Sequence, residues 1–141
     1  MVEQKTKIMV FGTFDVIHKG HLHFFKQARK LSRRPFLIVS VSRDANAKKI
    51  KGQMPLHNEK YRLKNVANCP LVNKAILGGA KSYLPHIIKE KPQIIGLGYD
   101  QSAYVGGLRA KLLQSGVKVK IARLRPFKQK IYKTSLLKTK I

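Results

Sequence analysis

Apolar and polar positions alternate along this chain in blocks whose lengths suit strands and helices in turn. Residues 8–11, IMVF, are a short apolar run closed by Gly12, and residues 36–42, FLIVSVS, are a second run rich in Ile and Val; both read as buried strands. Between them, residues 20–32 place Leu22, Phe25, Ala28 and Leu31 three apart, with His23, Lys26, Arg29 and Lys30 elsewhere, the spacing of an amphipathic helix. Strand, helix and strand in so short a span predict a right-handed crossover in a parallel sheet.

The alternation continues. Residues 59–68 predict a helix started near Asn58, residues 74–77 a third strand, and residues 80–90 a helix with Pro85 in its first turn or at a break. QIIGLG (93–98) reads as a strand interrupted by glycines, and AYVGGLRAKLLQSG (103–116) as a helix closed by Gly116. VKVKIARL (117–124) has the polar alternation of an edge strand. Pro126 separates it from KTSLLKTKI (133–141), long enough for a terminal helical turn or two. Five strands separated by helices predict a doubly wound α/β sandwich with a parallel five-stranded sheet, in one domain spanning residues 1–141.

Charge changes the picture more than size does. The 141 residues carry 30 Lys and Arg against 6 Asp and Glu, a formal net charge of +24. After Asp100 there are eleven basic residues and no acid. Such a field attracts polyanions, nucleotide phosphates or nucleic acid alike, so nucleic-acid binding is expected to be nonspecific. The apolar fraction of 43% is that of a globular protein. No run reaches membrane-spanning length and the N-terminus lacks an export signal's apolar core, so a cytoplasmic protein is expected. The lone Cys69 reads as a buried thiol.

In doubly wound folds ligands sit beyond the carboxyl ends of the strands. Three segments reach that edge with glycine and polar residues together: Gly12 to His21, Ser42 to Gly52, and Gly96 to Gln101. In the first, Gly12 and Thr13 let backbone approach a ligand, and His18 and His21 stand three apart at a helix start whose N–H groups favour an anion. That set makes a poor hydrolytic triad and a plausible phosphate cradle; alternatively the two histidines cap the helix or are satisfied core residues. In the second, Lys48, Lys49 and Lys51 precede Gly52 in what reads as a basic loop after a strand. In the third, Gly96 and Gly98 admit a flat ring, Asp100 can accept from a base amine or ribose hydroxyl, and Tyr99 can stack or pack. Glu59 and Arg62 form either a surface ion pair or part of the site.

GTFDVIHKGH (12–21) resembles the signature of the cytidylyltransferase-like nucleotidyltransferases, GTFD followed by HxGH. That resemblance implies a Rossmann-like αβα fold and attack on the α-phosphate of ATP or CTP with release of pyrophosphate, without a covalent enzyme intermediate. It implies that His18 and His21 bind the phosphates and stabilise the transition state, with Gly12, Thr13 and Phe14 around them. Asp15 would lie near the metal or the reacting phosphates. Magnesium would be held largely through the triphosphate, in keeping with a chain so poor in acids. Small enzymes of this kind are commonly dimeric, and a homodimer is expected.

VSRDANAKKIKGQ and KPQIIGLGYDQ are similar to segments of the archaeal-type FAD synthase branch. The likeness implies adenylyl transfer from ATP to FMN. A catalytic Lys51 and a triphosphate contact from Lys49 would come from the second segment; Arg62 would approach phosphate or lock the loop; Gly98 and Asp100 would bind nucleotide, and Tyr99 and Gln101 flavin. Thr134 and Ser135 stand where the family has its terminal phosphate motif. Gln93 replaces that branch's acid, and the arginine and glycine of the cytidylyltransferase terminal motif are absent. Transfer to glycerol 3-phosphate or a related alcohol phosphate is the alternative activity, and a basic nucleic-acid binder on a nucleotidyltransferase-like shell the alternative of another class.

Overall fold

A computed structural model of the chain describes residues 4–79, 84–98 and 108–125, and of Ile50, Lys51 and Arg109 the backbone only. In chain order the elements are β1 (Thr6–Gly12), α1 (Lys19–Arg29), β2 (Pro35–Val41), α2 (Asp44–Lys51), α3 (Glu59–Ala67), β3 (Lys74–Leu77), α4 (Leu84–Glu90), β4 (Ile94–Leu97), α5 (Leu108–Gln114) and β5 (Lys120–Arg123). The strands form one parallel sheet in the order β3-β2-β1-β4-β5.

Period-two alternation divides the core between the two faces of this sheet. Ile8 and Val10 of β1 pack with Phe25 and Ala28 of α1 and Val66 of α3. Met9 and Phe11, pointing the other way, pack with Ile87 of α4 and Leu108 and Leu112 of α5. Helices therefore cover both faces, and IMVF and FLIV are unbroken apolar runs because neither side of the central strands meets water. Cys69 is buried in the α1/α3 face, as expected.

The chain builds outward from β1 through β2 to β3, then returns to the other side of β1 for β4 and β5. Ligand crevices in such sheets open where the order reverses, here outside the carboxyl ends of β1 and its neighbours. The three segments singled out from the sequence leave β1, β2 and β4, which are adjacent. Pro85 falls in the first turn of α4, where its missing N–H costs nothing. β5 is an edge strand, with Lys120 and Arg123 exposed.

One element differs from the sequence reading. The basic stretch after β2 is a helix, α2, where a loop was expected. It has little apolar periodicity, but Ala47 is fully buried, and Gly52 closes the helix at φ 80° with its N–H donating to Lys48 O. Lys48 and Lys49 are thus exposed helical residues beside the crevice.

Candidate nucleotide site

The turn from β1 into α1 is organised by its own two histidines. His18 is the N-cap: its Nδ1 accepts the Gly20 N–H at 3.0 Å, and His21 Nδ1 accepts the His18 N–H at 3.3 Å. This is a capping box in which two imidazoles do what a hydroxyl and a carboxylate do elsewhere. The rings stack with centroids 3.9 Å apart and planes 25° from parallel. An Nδ1 that accepts carries no proton, so each neutral ring bears its proton on Nε2, turned away from the cap. The helix-cap and phosphate-cradle readings therefore use different nitrogens and are compatible. No acid stands in the first turn of α1, which leaves the helix N-terminus electropositive.

Burial lowers the pKa of His18 below its ordinary 6.5. The unfolded chain thus takes up this proton at a higher pH than the folded one, so stability is full above about 6.5 and declines as pH falls through the folded value. Burial acts in the same direction on His86, assisted by Arg43 and opposed by Glu90. Thermal unfolding is expected to be flat between pH 7 and 8 and to move to lower temperature towards pH 5. His18→Ser keeps a capping oxygen without a titrating group, so it should shallow that slope; an unchanged slope would show that His18 does not contribute to it.

Gly12 and Phe14 serve each other. A Cβ on Gly12 would lie 2.5 Å from Phe14 Cζ, so the space that the sequence suggested for a ligand is filled by the Phe14 ring. Phe14 adopts φ 53°, a left-handed conformation costly for an aromatic residue, and its ring packs edge-on to His21 at 5.2 Å and against Phe25 at 5.3 Å. The strained turn thereby fixes the His21 ring from below. Gly96 likewise lacks room for a flat ring, since a Cβ there would meet Val10 Cγ1 at 3.1 Å and Leu124 Cδ1 at 3.2 Å. Gly98, two residues on, is buried and accepts from Arg123 Nη1 at 3.0 Å.

The described acids near the crevice hold the loops together. Asp15 is buried, and its two oxygens accept the Leu56 and His57 N–H groups at 2.7 and 2.9 Å. Glu59 accepts the Asp44 N–H at 3.0 Å and pairs with Arg43 at 3.6 Å. Arg62 is fully buried: Nε donates to His57 O at 2.9 Å, Nη1 to Thr13 O at 2.9 Å and Ser42 O at 2.8 Å, and Nη2 to Asp44 Oδ1 at 2.7 Å. Glu59 and Arg62 thus pair with the β2–α2 junction, where a surface ion pair between them was one expectation. Of the two roles the sequence offered Arg62, this geometry is that of a loop lock. Its guanidinium ties the exits of β1 and β2 to the segment entering α3.

The expected roles of Tyr99, Asp100, Gln101, Thr134 and Ser135, and of the Lys51 side chain, fall outside the described residues. Among the described residues no group of three or more His, Cys, Asp or Glu is placed to hold a metal ion. With Asp15, Asp44 and Glu59 already engaged, the described carboxylates do not form a cation cage. Nor, among these residues, is any helix long and apolar enough to cross a membrane.

Set beside known proteins, residues 9–139 match the cytidylyltransferase-like family. The FAD synthase of Thermoplasma acidophilum is 36% identical over 135 residues, covering 96% of this chain and 93% of its own. That of Korarchaeum cryptofilum is 38% identical over 128 residues, covering 90% and 86%. Among solved structures, the lipopolysaccharide core biosynthesis protein from Thermoplasma volcanium superposes with a TM-score of 0.81 at 35% identity, covering 88% of this chain and 99% of its own.

Proposed function

This chain belongs to the cytidylyltransferase-like family, and we propose that it is an FAD synthase, transferring the adenylyl group of ATP to FMN with release of pyrophosphate. The observation that carries this reading is the agreement between relatives named FAD synthase along nearly the whole chain and a stacked pair of imidazoles, each with Nδ1 accepting a backbone N–H, at a helix N-terminus beyond the sheet. In the reaction an oxygen of the FMN phosphate attacks the α-phosphorus of ATP, the bond to the bridging oxygen breaks, and pyrophosphate departs with that electron pair. Charge builds on the equatorial oxygens and the leaving group, so fixed donors matter more than a strong base.

His18 and His21 donate from Nε2 to phosphate oxygens, with the capping bonds holding both rings in register beforehand. Lys49 and Lys51 of α2 neutralise the triphosphate. Gly98 and Asp100 receive the adenosine, Tyr99 and Gln101 the flavin, and Thr134 and Ser135 a phosphate. Asp15 and Arg62 act through the backbone they fix. A divalent cation such as magnesium would be held largely by the triphosphate itself and would supply charge screening there. The substrate test is a matrix of ATP or CTP against FMN or glycerol 3-phosphate. FAD from the ATP and FMN pair alone is the expected outcome; consumption of CTP with the alcohol phosphate would transfer the assignment to the alternative enzyme.

The enzyme is also proposed to pair. Val16, Met54, Leu56 and Tyr61 are exposed large apolar residues, and Asp15 ties Val16 to the segment bearing Leu56. This is the active-site rim, where burial against a second copy would compensate most. Light scattering at moderate salt should give a dimer mass that Leu56→Glu reduces to a monomer's; a concentration-independent monomer for the parent protein would refute pairing.

A further inference from the structure

Exposed basic residues gather at the edge of the sheet opposite the phosphate cradle. In a parallel sheet every strand starts at one edge, and here the starts of four strands are joined in a row. Thr6 N–H donates to Arg34 O at 2.8 Å, Gln93 N–H to Lys7 O at 2.9 Å, and Lys120 N–H to Gln93 O at 3.0 Å. Neighbouring strands lie about 4.8 Å apart, so the row from β2 through β1 and β4 to β5 is about 14 Å long. Along it Lys5, Lys7, Arg33, Arg34, Lys118 and Lys120 are all exposed.

Acids do not answer this charge. Asp15, Asp44 and Glu59 are engaged at the other end of the sheet. Glu90, the one described acid at this edge, is buried and pairs with Lys74 at 2.7 Å. Glu3, outside the described residues, would offset a single charge. Helix C-termini also gather at this edge and favour cations, but only within their last turn, and none of these six basic residues stands in a helix. Like charges held so close repel one another, and a bound polyanion relieves that repulsion.

We propose that this edge is a second binding surface, which takes the phosphate backbone of a nucleic acid without reading its bases. Composition alone made any such affinity diffuse; the fold gives it a place. β1 is seven residues long, so the row lies about 20 Å from the turn that holds His18 and His21, and both can be occupied at once. An anionic membrane is the other large polyanion, and peripheral binding to it joins basic residues to apolar ones that insert. Here the exposed large apolar residues are Val16, Met54, Leu56 and Tyr61 at the opposite rim and Leu113 on α5, with none in the row. Cations without an apolar companion suit a phosphate backbone.

The test is fluorescence anisotropy of the intact protein with a labelled DNA duplex of about 20 base pairs and arbitrary sequence, titrated over a range of salt. The triple variant Arg33→Gln, Lys118→Gln, Lys120→Gln should weaken binding at about 0.15 M salt by roughly thirtyfold or more, and make the slope of log K against log salt shallower by about two to three. Lys60→Gln, Lys64→Gln, Lys111→Gln removes the same charge from exposed positions on α3 and α5, and should stay within about threefold of the parent. Both triples should keep the parent's thermal unfolding, and saturating ATP should not displace the duplex. Equal losses in the two triples would mean that diffuse charge alone attracts the duplex, and would overturn the proposal. So would a parent protein that does not bind at about 0.15 M salt, or whose duplex ATP displaces. Binding to phosphatidylglycerol vesicles but not to the duplex, lost in the first triple, would give the edge to a membrane surface instead. None of these outcomes depends on FAD formation, so the enzyme reading stands or falls separately.

Discussion

Arg62→Ala is expected to lower folding stability by about 3–5 kcal/mol and to abolish measurable turnover, because it leaves a carboxylate and three backbone carbonyls without their donor. Arg62 is fully buried, and four of the five N–H groups of a guanidinium are spent on Thr13, Ser42, Asp44 and His57. No other side-chain type reaches four acceptors in one plane, so Arg62→Lys should recover little. Asp44→Asn should be milder, since an amide oxygen still accepts and no unpaired carboxylate remains. Urea unfolding of the three variants distinguishes a lock from an ornament. A loss below about 1 kcal/mol for Arg62→Ala would mean that water or a neighbour replaces it, and the loop-locking account would fail.

His21→Ala is expected to reduce turnover roughly a hundredfold or more, about 3 kcal/mol in the barrier, while FMN binding changes little. The donor it removes is proposed to act on charge that develops during phosphoryl transfer, so the loss should appear in kcat more than in KM. His18→Ala should also raise the KM for ATP if its Nε2 meets the ground-state phosphate. Both variants have a structural cost as well, because each ring accepts a backbone N–H at the start of α1. About 1 kcal/mol of stability per cap is the expected size. Measuring unfolding beside kinetics separates the two, for a lost cap alone does not slow a folded enzyme a hundredfold. Near-normal turnover by folded His21→Ala would take the imidazole out of the transition state.

The alternation of apolar runs with helical spacings was enough to place all five strands in sequence, since central parallel strands are buried on both sides and announce themselves by composition. The helix α2 was illegible for the converse reason: only Ala47 is known to reach the core, and a single alanine among lysines leaves no period to read. Glycines misled in a different way. Gly12 and Gly96 were read as openings for a ligand, but the space beside them is filled by Phe14, and by Val10 and Leu124. Sequence shows that a Cβ is absent and not what fills its place. The HxGH spacing made the histidine pair conspicuous, yet the capping box they form appears only when the turn is built. Arg62 is the clearest case of information held in the fold: its four acceptors lie in three separate segments, three of the four are backbone carbonyls, and backbone carbonyls carry no signature in a sequence.

The central claim is tested most directly by incubating the protein with magnesium, FMN and ATP labelled at the α-phosphate, then measuring label in FAD and free pyrophosphate together. The account predicts label entering FAD with one pyrophosphate released for each FAD formed, and loss of both products together in His21→Ala. A protein that binds FMN and ATP but leaves the α-label in ATP, or releases it as free AMP without FAD, would contradict the account.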